Sequence, residues 1–187
     1  MTKLYGSLTS PFVRHCRIAF LEQGMAYEFI PTDYGQSAAK SPAKRVPFLE
    51  CEGRMITDSS PILQWIRQEG KWPFLSSPWE TNQYCLANTV LDTAINLFLL
   101  EKDGVTPDDV PYLQRQQSRI SACLDALEDE ALQFDKAPND GQWRIACMMA
   151  WALYRKRFEF SKYPKLSAFL EKVSQLEPFR ETAPPPV

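Results

Sequence analysis

The hydrophobic period of the chain changes once, near residues 70–78, and this change limits the fold more than any other feature. Before it, short apolar strand-like runs alternate with helical segments. After it, apolar residues recur only at the three- and four-residue spacing of helices. The stretch between is rich in Gly, Pro and Ser, which predicts a linker over residues 71–78. We therefore expect an N-terminal α/β domain, residues 1–70, and an all-helical domain, residues 79–187.

The first seventy residues have strand and helix signals in the order β-α-β and then β-β-α. Ser10-Pro11 begins a helix after the first strand, and Gly24 ends it. Glu52-Gly53 predicts a tight hairpin, and Asp58-Ser59-Ser60-Pro61 begins a second helix. The βαβ unit implies parallel strands, to which the hairpin adds an antiparallel edge. The stretch 32–45 is polar and predicts a loop with at most one short helix. Strands are predicted over 3–7, 27–30, 46–51 and 54–57.

Helical spacing dominates the rest of the chain. Asn139 and Gln142 have the spacing of a capping box before a helix over residues 143–157. That helix is apolar nearly all round, so it is predicted to form the buried centre of a bundle. Tyr163-Pro164 begins a final helix. Two further apolar stripes predict helices, one at Leu86, Val90, Ala94 and Leu97, the other at Ile120, Leu124, Leu127, Ala131 and Phe134.

Composition excludes several classes of function. A net charge of −2, from 21 basic and 23 acidic residues, leaves no electrostatic footprint for nucleic acid or for an anionic membrane. No glycine-rich phosphate loop and no CxxC pair occurs, and His15 is the single histidine, so no metal or dithiol site is expected. The longest apolar run, residues 145–153, is far shorter than the ~20 residues of a membrane span. We expect a soluble cytoplasmic protein without a signal peptide.

Four short motifs carry a resemblance to a known family. They are Ser10-Pro11-Phe12-Val13-Arg14, Arg45-Val46-Pro47-Phe48-Leu49, Thr57-Asp58-Ser59 with Pro61-Ile62-Leu63, and Tyr163-Pro164-Lys165-Leu166 with Pro178-Phe179. In this order around the linker, they resemble the bacterial, serine-type cytosolic glutathione S-transferases over essentially the whole chain. The resemblance implies a thioredoxin-like N-terminal domain followed by a helical-bundle C-terminal domain.

The same resemblance implies that Ser10 is the catalytic residue that donates a hydrogen bond to the sulfur of glutathione. A hydroxyl donor at the N-terminus of a helix favours the thiolate, which is the nucleophile. Tyr5 and Thr9 are the alternative donors, and Ser10 can equally be a plain N-cap. Because no cysteine stands at position 10, a thioltransferase that passes through a protein–glutathione disulfide is disfavoured.

The remaining glutathione contacts follow from the resemblance as well. A cis Val46-Pro47 bond would offer its backbone to the cysteinyl part, although Pro47 also suits the start of an edge strand. Asp58 would face the γ-glutamyl ammonium, and Ser59 with the helix N-terminus would bind its carboxylate, although both also suit a helix cap. The 31–45 loop is short for the family, so the partner of the glycine carboxylate stays open among Lys40, Lys44 and Arg45, of which Arg45 is favoured.

We expect the electrophile beside Phe12, and Arg14 and His15 on the solvated face of the first helix. The implied activity is conjugation of the glutathione thiolate to small apolar electrophiles. Alternatives are a glutathione-dependent peroxidase or dehalogenase on the same site, or a non-catalytic interaction module. The resemblance implies glutathione as co-substrate, no metal, and a homodimer in which Trp65 is a candidate interface residue.

Overall fold

A computed structural model describes residues 1–70, 72–130 and 132–186. Lys71, the first residue of the predicted linker, and Ala131, one position of the second apolar stripe, lie outside the described residues, as does Val187. The chain forms two compact units. The first unit is Met1–Ser76 together with Ser174–Val187, and the second unit is Ser77–Val173. That each unit is an independent domain remains our proposal.

A four-stranded mixed sheet organises the first unit. The strands lie in the order β2-β1-β3-β4, with β1 parallel to β2 and antiparallel to β3, and β3 antiparallel to β4. This arrangement confirms the predicted thioredoxin-like α/β fold. The elements are β1 (Lys3–Gly6), α1 (Pro11–Gln23), β2 (Glu28–Pro31), α2 (Tyr34–Lys40), β3 (Phe48–Cys51), β4 (Arg54–Ile56) and α3 (Ser59–Glu69).

Local chemistry sets the limits of α1. Ser10 is its N-cap, Pro11 occupies the first helical position, and Gly24 ends it in the left-handed region at φ 63°. Gly6, at the end of β1, brings the backbone very close to this helix. A Cβ at Gly6 would lie 2.6 Å from Cγ2 of Val13, so glycine permits the approach of α1 to the strand.

The second unit is a helical bundle, as predicted. Its most buried helix is α6, where Trp143, Ile145 and Met148 are inaccessible to solvent, in agreement with the prediction of a buried centre. The capping box of Asn139 and Gln142 is also confirmed. Among the described residues, no helix is both long and apolar enough to cross a membrane. The helices are α4 (Pro78–Lys102), α5 (Pro111–Asp129), α6 (Asp140–Tyr154) and α7 (Pro164–Val173), with a 3-10 turn at Pro107–Asp109.

The prediction that Arg14 and His15 lie on a solvated face of α1 is wrong. Arg14 is 7% exposed and His15 is fully buried. The cause is α8 (Glu177–Glu181), which packs against α1 within the first unit. The sequence analysis assigns residues 174–187 to the helical domain, whereas the structure groups the described residues 174–186 with the sheet.

Candidate functional site

Three candidate segments meet at one edge of the sheet in the first unit. The register pairs Tyr5 of β1 with Phe48 of β3, so the carboxyl end of β1 lies beside the amino end of β3. Strand β4 returns antiparallel to β3, with Ile56 opposite Leu49, and therefore ends at the same edge. Helix α1 follows β1, Pro47 precedes β3, and α3 follows β4. The two helix N-termini and the Val46–Pro47 peptide are thus brought together.

Ser10 lies at the mouth of α1 with its side chain half-buried. Its Oγ accepts a hydrogen bond from the backbone N–H of Val13 at 3.4 Å. Within the part of the chain that the structure describes, this hydroxyl donates to no other group. Its hydrogen is therefore available to a ligand atom at the positive end of the helix dipole.

Tyr5 differs from Ser10 because its hydroxyl hydrogen is already used. The Tyr5 hydroxyl donates to Oε2 of Glu50 at 2.7 Å, and its ring stacks on Phe48 with centroids 4.4 Å apart. The hydrogen bond to Glu50, together with burial, raises the pKa of Tyr5 to about 12. The hydroxyl of Thr9 forms a 3.0 Å hydrogen bond with the hydroxyl of Ser7. The contacts of Tyr5 favour Ser10 over Tyr5 as the donor, while Thr9 stays an alternative.

The Val46–Pro47 peptide bond is cis, as the resemblance implied. Pro47 is buried and Val46 is half-buried, directly before β3. The backbone N–H and carbonyl of Val46 make no hydrogen bond to the described residues. This peptide can therefore pair with the backbone of an extended ligand.

Asp58 uses its two carboxylate oxygens differently at the N-terminus of α3. Oδ1 accepts from the backbone N–H of Ser60 at 2.9 Å and caps the helix. Oδ2 accepts from the Arg45 guanidinium at 2.5 Å, in a pair whose side chains are 37% and 57% exposed respectively. Ser59, the first residue of α3, is buried. The structure therefore places Arg45 beside the expected γ-glutamyl position.

The other candidates lie as follows. Phe12 is half-buried in the first turn of α1. Lys40 ends the seven-residue helix α2, and its Nζ lies 5.0 Å from the centroid of the Tyr5 ring. Trp65 is half-buried and packs edge-on against Phe20. Across residues 1–70, 72–130 and 132–186, no group of three or more His, Cys, Asp or Glu side chains is placed to hold a metal ion.

Sequence reasoning missed Glu50, which accepts the hydrogen bond of the Tyr5 hydroxyl and raises the pKa of Tyr5. Glu50 is an acidic residue within the otherwise apolar strand Phe48–Cys51. A carboxylate in such a run needs a partner, and Tyr5 on the neighbouring strand supplies it. That mismatch between residue type and strand was the available signal.

Comparisons with known proteins agree with this architecture. Residues 4–74 match the family model described as "Glutathione S-transferase, N-terminal domain". The "Uncharacterized GST-like protein YibF" of Escherichia coli K12 is 30% identical over 200 residues, covering 98% of each chain. A glutathione S-transferase from Methylobacillus flagellatus, solved with glutathione bound, superposes with a TM-score of 0.87 at 18% identity, over 99% of this chain and 100% of that one.

A second solved structure is that of an enzyme with a different activity. Maleylacetoacetate isomerase from Anaeromyxobacter dehalogenans, with glutathione bound in its active site, has a TM-score of 0.74 at 22% identity, over 98% of this chain and 95% of that one. The shared fold therefore leaves the reaction open. Membership rests on the whole-length relative and on the family model over the sheet-forming residues: the chain belongs to the glutathione S-transferase family.

Proposed function

We propose that the protein is a serine-type glutathione S-transferase, which joins the thiolate of glutathione to a small apolar electrophile. The observation that carries this proposal is the meeting of three segments at one sheet edge: the N-terminus of α1, the cis Val46–Pro47 peptide and the N-terminus of α3. Glutathione is a zwitterionic tripeptide, and each segment suits one part of it.

The N-terminus of α3 suits the γ-glutamyl group. The carboxylate of Asp58 faces the ammonium of glutathione, while Ser59 and the first backbone N–H groups of α3 bind its carboxylate. Because Arg45 pairs with Asp58, its guanidinium lies where it supplements the binding of that carboxylate. We therefore assign Arg45 to the γ-glutamyl end and no longer to the glycine end.

The Val46 backbone and Ser10 suit the cysteinyl part. The free N–H and carbonyl of Val46 pair with the cysteinyl backbone and direct the sulfur toward the mouth of α1. There the thiol proton leaves to water, and Ser10 donates its hydroxyl hydrogen to the thiolate. A sulfur lone pair then forms a C–S bond with the electrophile, which loses a leaving group with its electron pair or accepts a proton after addition. Phe12 offers an apolar surface to that electrophile.

Other features of the proposal rest on the family resemblance. Glutathione serves as co-substrate and no metal is needed. The protein acts as a cytoplasmic homodimer. A peroxidase or dehalogenase would use the same activated sulfur, and a non-catalytic module would bind glutathione without activating it. A panel of electrophiles and peroxides separates these cases, because conjugation alone yields a stable C–S product.

Calorimetric titration with glutathione tests the binding site. Asp58→Asn retains the oxygen that caps α3 but removes the charge that faces the ammonium. We expect the affinity to fall about tenfold to a hundredfold, the loss of a charge-assisted hydrogen bond. The matched control is Asp33→Asn, since Asp33 caps α2 in the same way, accepting from the Gln36 N–H at 2.8 Å. Unchanged affinity in Asp58→Asn, or an equal loss in both variants, would remove the assigned site.

A further inference from the structure

A buried guanidinium lies one helical turn after Ser10. Nη2 of Arg14 donates to the carbonyl oxygen of Phe179 at 2.7 Å, and Nε donates to Oγ1 of Thr182 at 3.4 Å. The guanidinium carbon lies 3.7 Å from the centroid of the Phe179 ring. A planar guanidinium that is hydrogen bonded at its edge and stacked on its face has little freedom to move. Arg14 is therefore a fixed link between α1 and the C-terminal segment, residues 174–186.

The other end of this link is the backbone of Ser10. The N–H of Arg14 donates to the carbonyl oxygen of Ser10 at 3.0 Å. Two further bonds hold Ser10: its own N–H donates to the carbonyl oxygen of Ser7 at 3.0 Å, and its Oγ accepts from the Val13 N–H at 3.4 Å. Pro11 has no N–H to contribute, so the Arg14 N–H is the bond that ties Ser10 to the next turn of the helix. A continuous path thus runs from Phe179 through Arg14 to the residue that we propose as the sulfur donor.

The C-terminal segment is itself well held. Thr182 is fully buried, and its hydroxyl donates to the carbonyl oxygen of Pro178 at 2.7 Å. Arg17, one turn further along α1, donates to the carbonyl oxygens of Thr182 at 3.2 Å and Glu181 at 3.4 Å. Arg14 and Arg17 thus place two cations at the carboxyl end of α8, where they complement its last carbonyl oxygens. The segment can therefore act as an anchor for α1.

We propose that Arg14 is a positioning residue, which fastens the C-terminal segment to α1 and so fixes the first turn that carries the Ser10 hydroxyl. This inference rests on the proposed function. A hydrogen bond to a thiolate depends on a geometry that is held within fractions of an ångström, so a loosened turn weakens it. In the proposed site, glutathione affinity depends instead on Asp58, Ser59 and Val46.

The test compares Arg14→Lys with Arg17→Lys in the full chain. Arg14→Lys keeps the charge but loses the planar group. We expect the pKa of enzyme-bound glutathione to rise by about half a unit to one unit, so that the thiolate fraction at a pH well below that pKa falls about 3- to 10-fold. The KM for glutathione should stay near that of the parent. Arg17→Lys loosens the same segment at its exposed side, away from the first turn, and should leave the thiol pKa unchanged.

Hydrogen exchange supplies a readout that does not involve sulfur. The Val13 and Arg14 amides should exchange faster in Arg14→Lys by about tenfold, while the strand amides stay protected. If Arg14→Lys fails to fold, Thr182→Val removes one acceptor of the same guanidinium and should produce a smaller change in the same direction. If the parent protein does not lower the pKa of bound glutathione, the proposed function is overturned. Hydrogen exchange by itself then decides whether Arg14 holds the first turn of α1.

Two results overturn the positioning role. In the first, Arg14→Lys matches the parent in both thiol titration and exchange. In the second, Arg17→Lys shifts the thiol pKa as much as Arg14→Lys does, because general loosening of the segment would then explain the effect.

Discussion

The hydroxyl groups of Tyr5 and Ser10 differ in what their hydrogens do. The Tyr5 hydroxyl donates its hydrogen bond to Glu50, which raises the pKa of Tyr5 to about 12 and so favours the protonated hydroxyl. Ser10 accepts one backbone hydrogen bond and has its own hydrogen available to a ligand. One carboxylate on the neighbouring strand therefore explains why the tyrosine is the weaker candidate for binding sulfur.

Tyr5→Phe tests this assignment of the two hydroxyls. The variant loses the bond to Glu50, so the free energy of unfolding should fall by about 1 kcal/mol. The pKa of bound glutathione should not change, because the Tyr5 hydrogen does not reach the sulfur in this account. Thermal unfolding and a spectrophotometric thiol titration measure the two effects. A raised thiol pKa in Tyr5→Phe would instead make Tyr5 the donor.

The Arg45–Asp58 pair shows why an ion pair at this site is compatible with ligand binding. Both side chains are more than a third exposed. Ion pairs of this kind contribute only about 0–1 kcal/mol, because water and salt screen them. A glutathione zwitterion with an ammonium and a carboxylate can therefore rearrange the pair at little cost and interact with both partners.

At the scale of the elements, the junction of β1 and α1 has a tight packing constraint. A methyl group at Gly6 would lie 2.6 Å and 2.7 Å from the two methyl carbons of Val13. The strand end and the first turn of α1 must separate to accept it, and this turn carries Ser10.

Gly6→Ala should therefore destabilise the protein by about 1–3 kcal/mol, the usual range for overpacking. Val13→Ala in the same chain should recover part of that loss, since it removes both methyl carbons that clash. Chemical unfolding of the two single variants and the double variant gives the coupling. If the two changes in the free energy of unfolding are strictly additive, a side chain at position 6 does not clash with Val13.

Most elements of the first unit could be predicted from local signals. Ser10-Pro11 and Gly24 marked the ends of α1, and Glu52-Gly53 marked a hairpin whose two turn residues both have positive φ. The polar stretch 32–45 has no apolar period from which the bounds of α2 can be predicted. The start of α2 could nevertheless be predicted, because Asp33 and Gln36 have the spacing of a capping box and form one in the structure.

At the scale of the whole molecule, local patterns carry no information about distant partners. Arg14 contacts Phe179 across 165 positions of sequence, and Tyr5 contacts Glu50 across 45. A polar residue that is buried by such a contact has the same local pattern as one that faces water. This is why Arg14 was expected in solvent, and why the pairing of Arg45 with Asp58 was not predicted.

The four motifs indicate the family, whereas the reaction that we propose depends on one hydroxyl. A chain of this fold can conjugate, isomerise or merely bind, so the fold alone leaves the chemistry open. Our central claim is that the Ser10 hydroxyl stabilises the thiolate of bound glutathione.

The most direct test is thiolate absorbance against pH in the glutathione complex, for the parent and Ser10→Ala. Ser77→Ala is the matched control, because Ser77 precedes Pro78 and caps α4 in the same way, accepting from the Glu80 N–H at 3.2 Å. The parent should titrate below the ordinary thiol pKa of about 8.5. Ser10→Ala should raise that pKa by about one to two units, the equivalent of a hydrogen bond of about 1–3 kcal/mol to a charged sulfur. Ser77→Ala should titrate like the parent. If Ser10→Ala also titrates like the parent, Ser10 is only a helix cap and the account is contradicted.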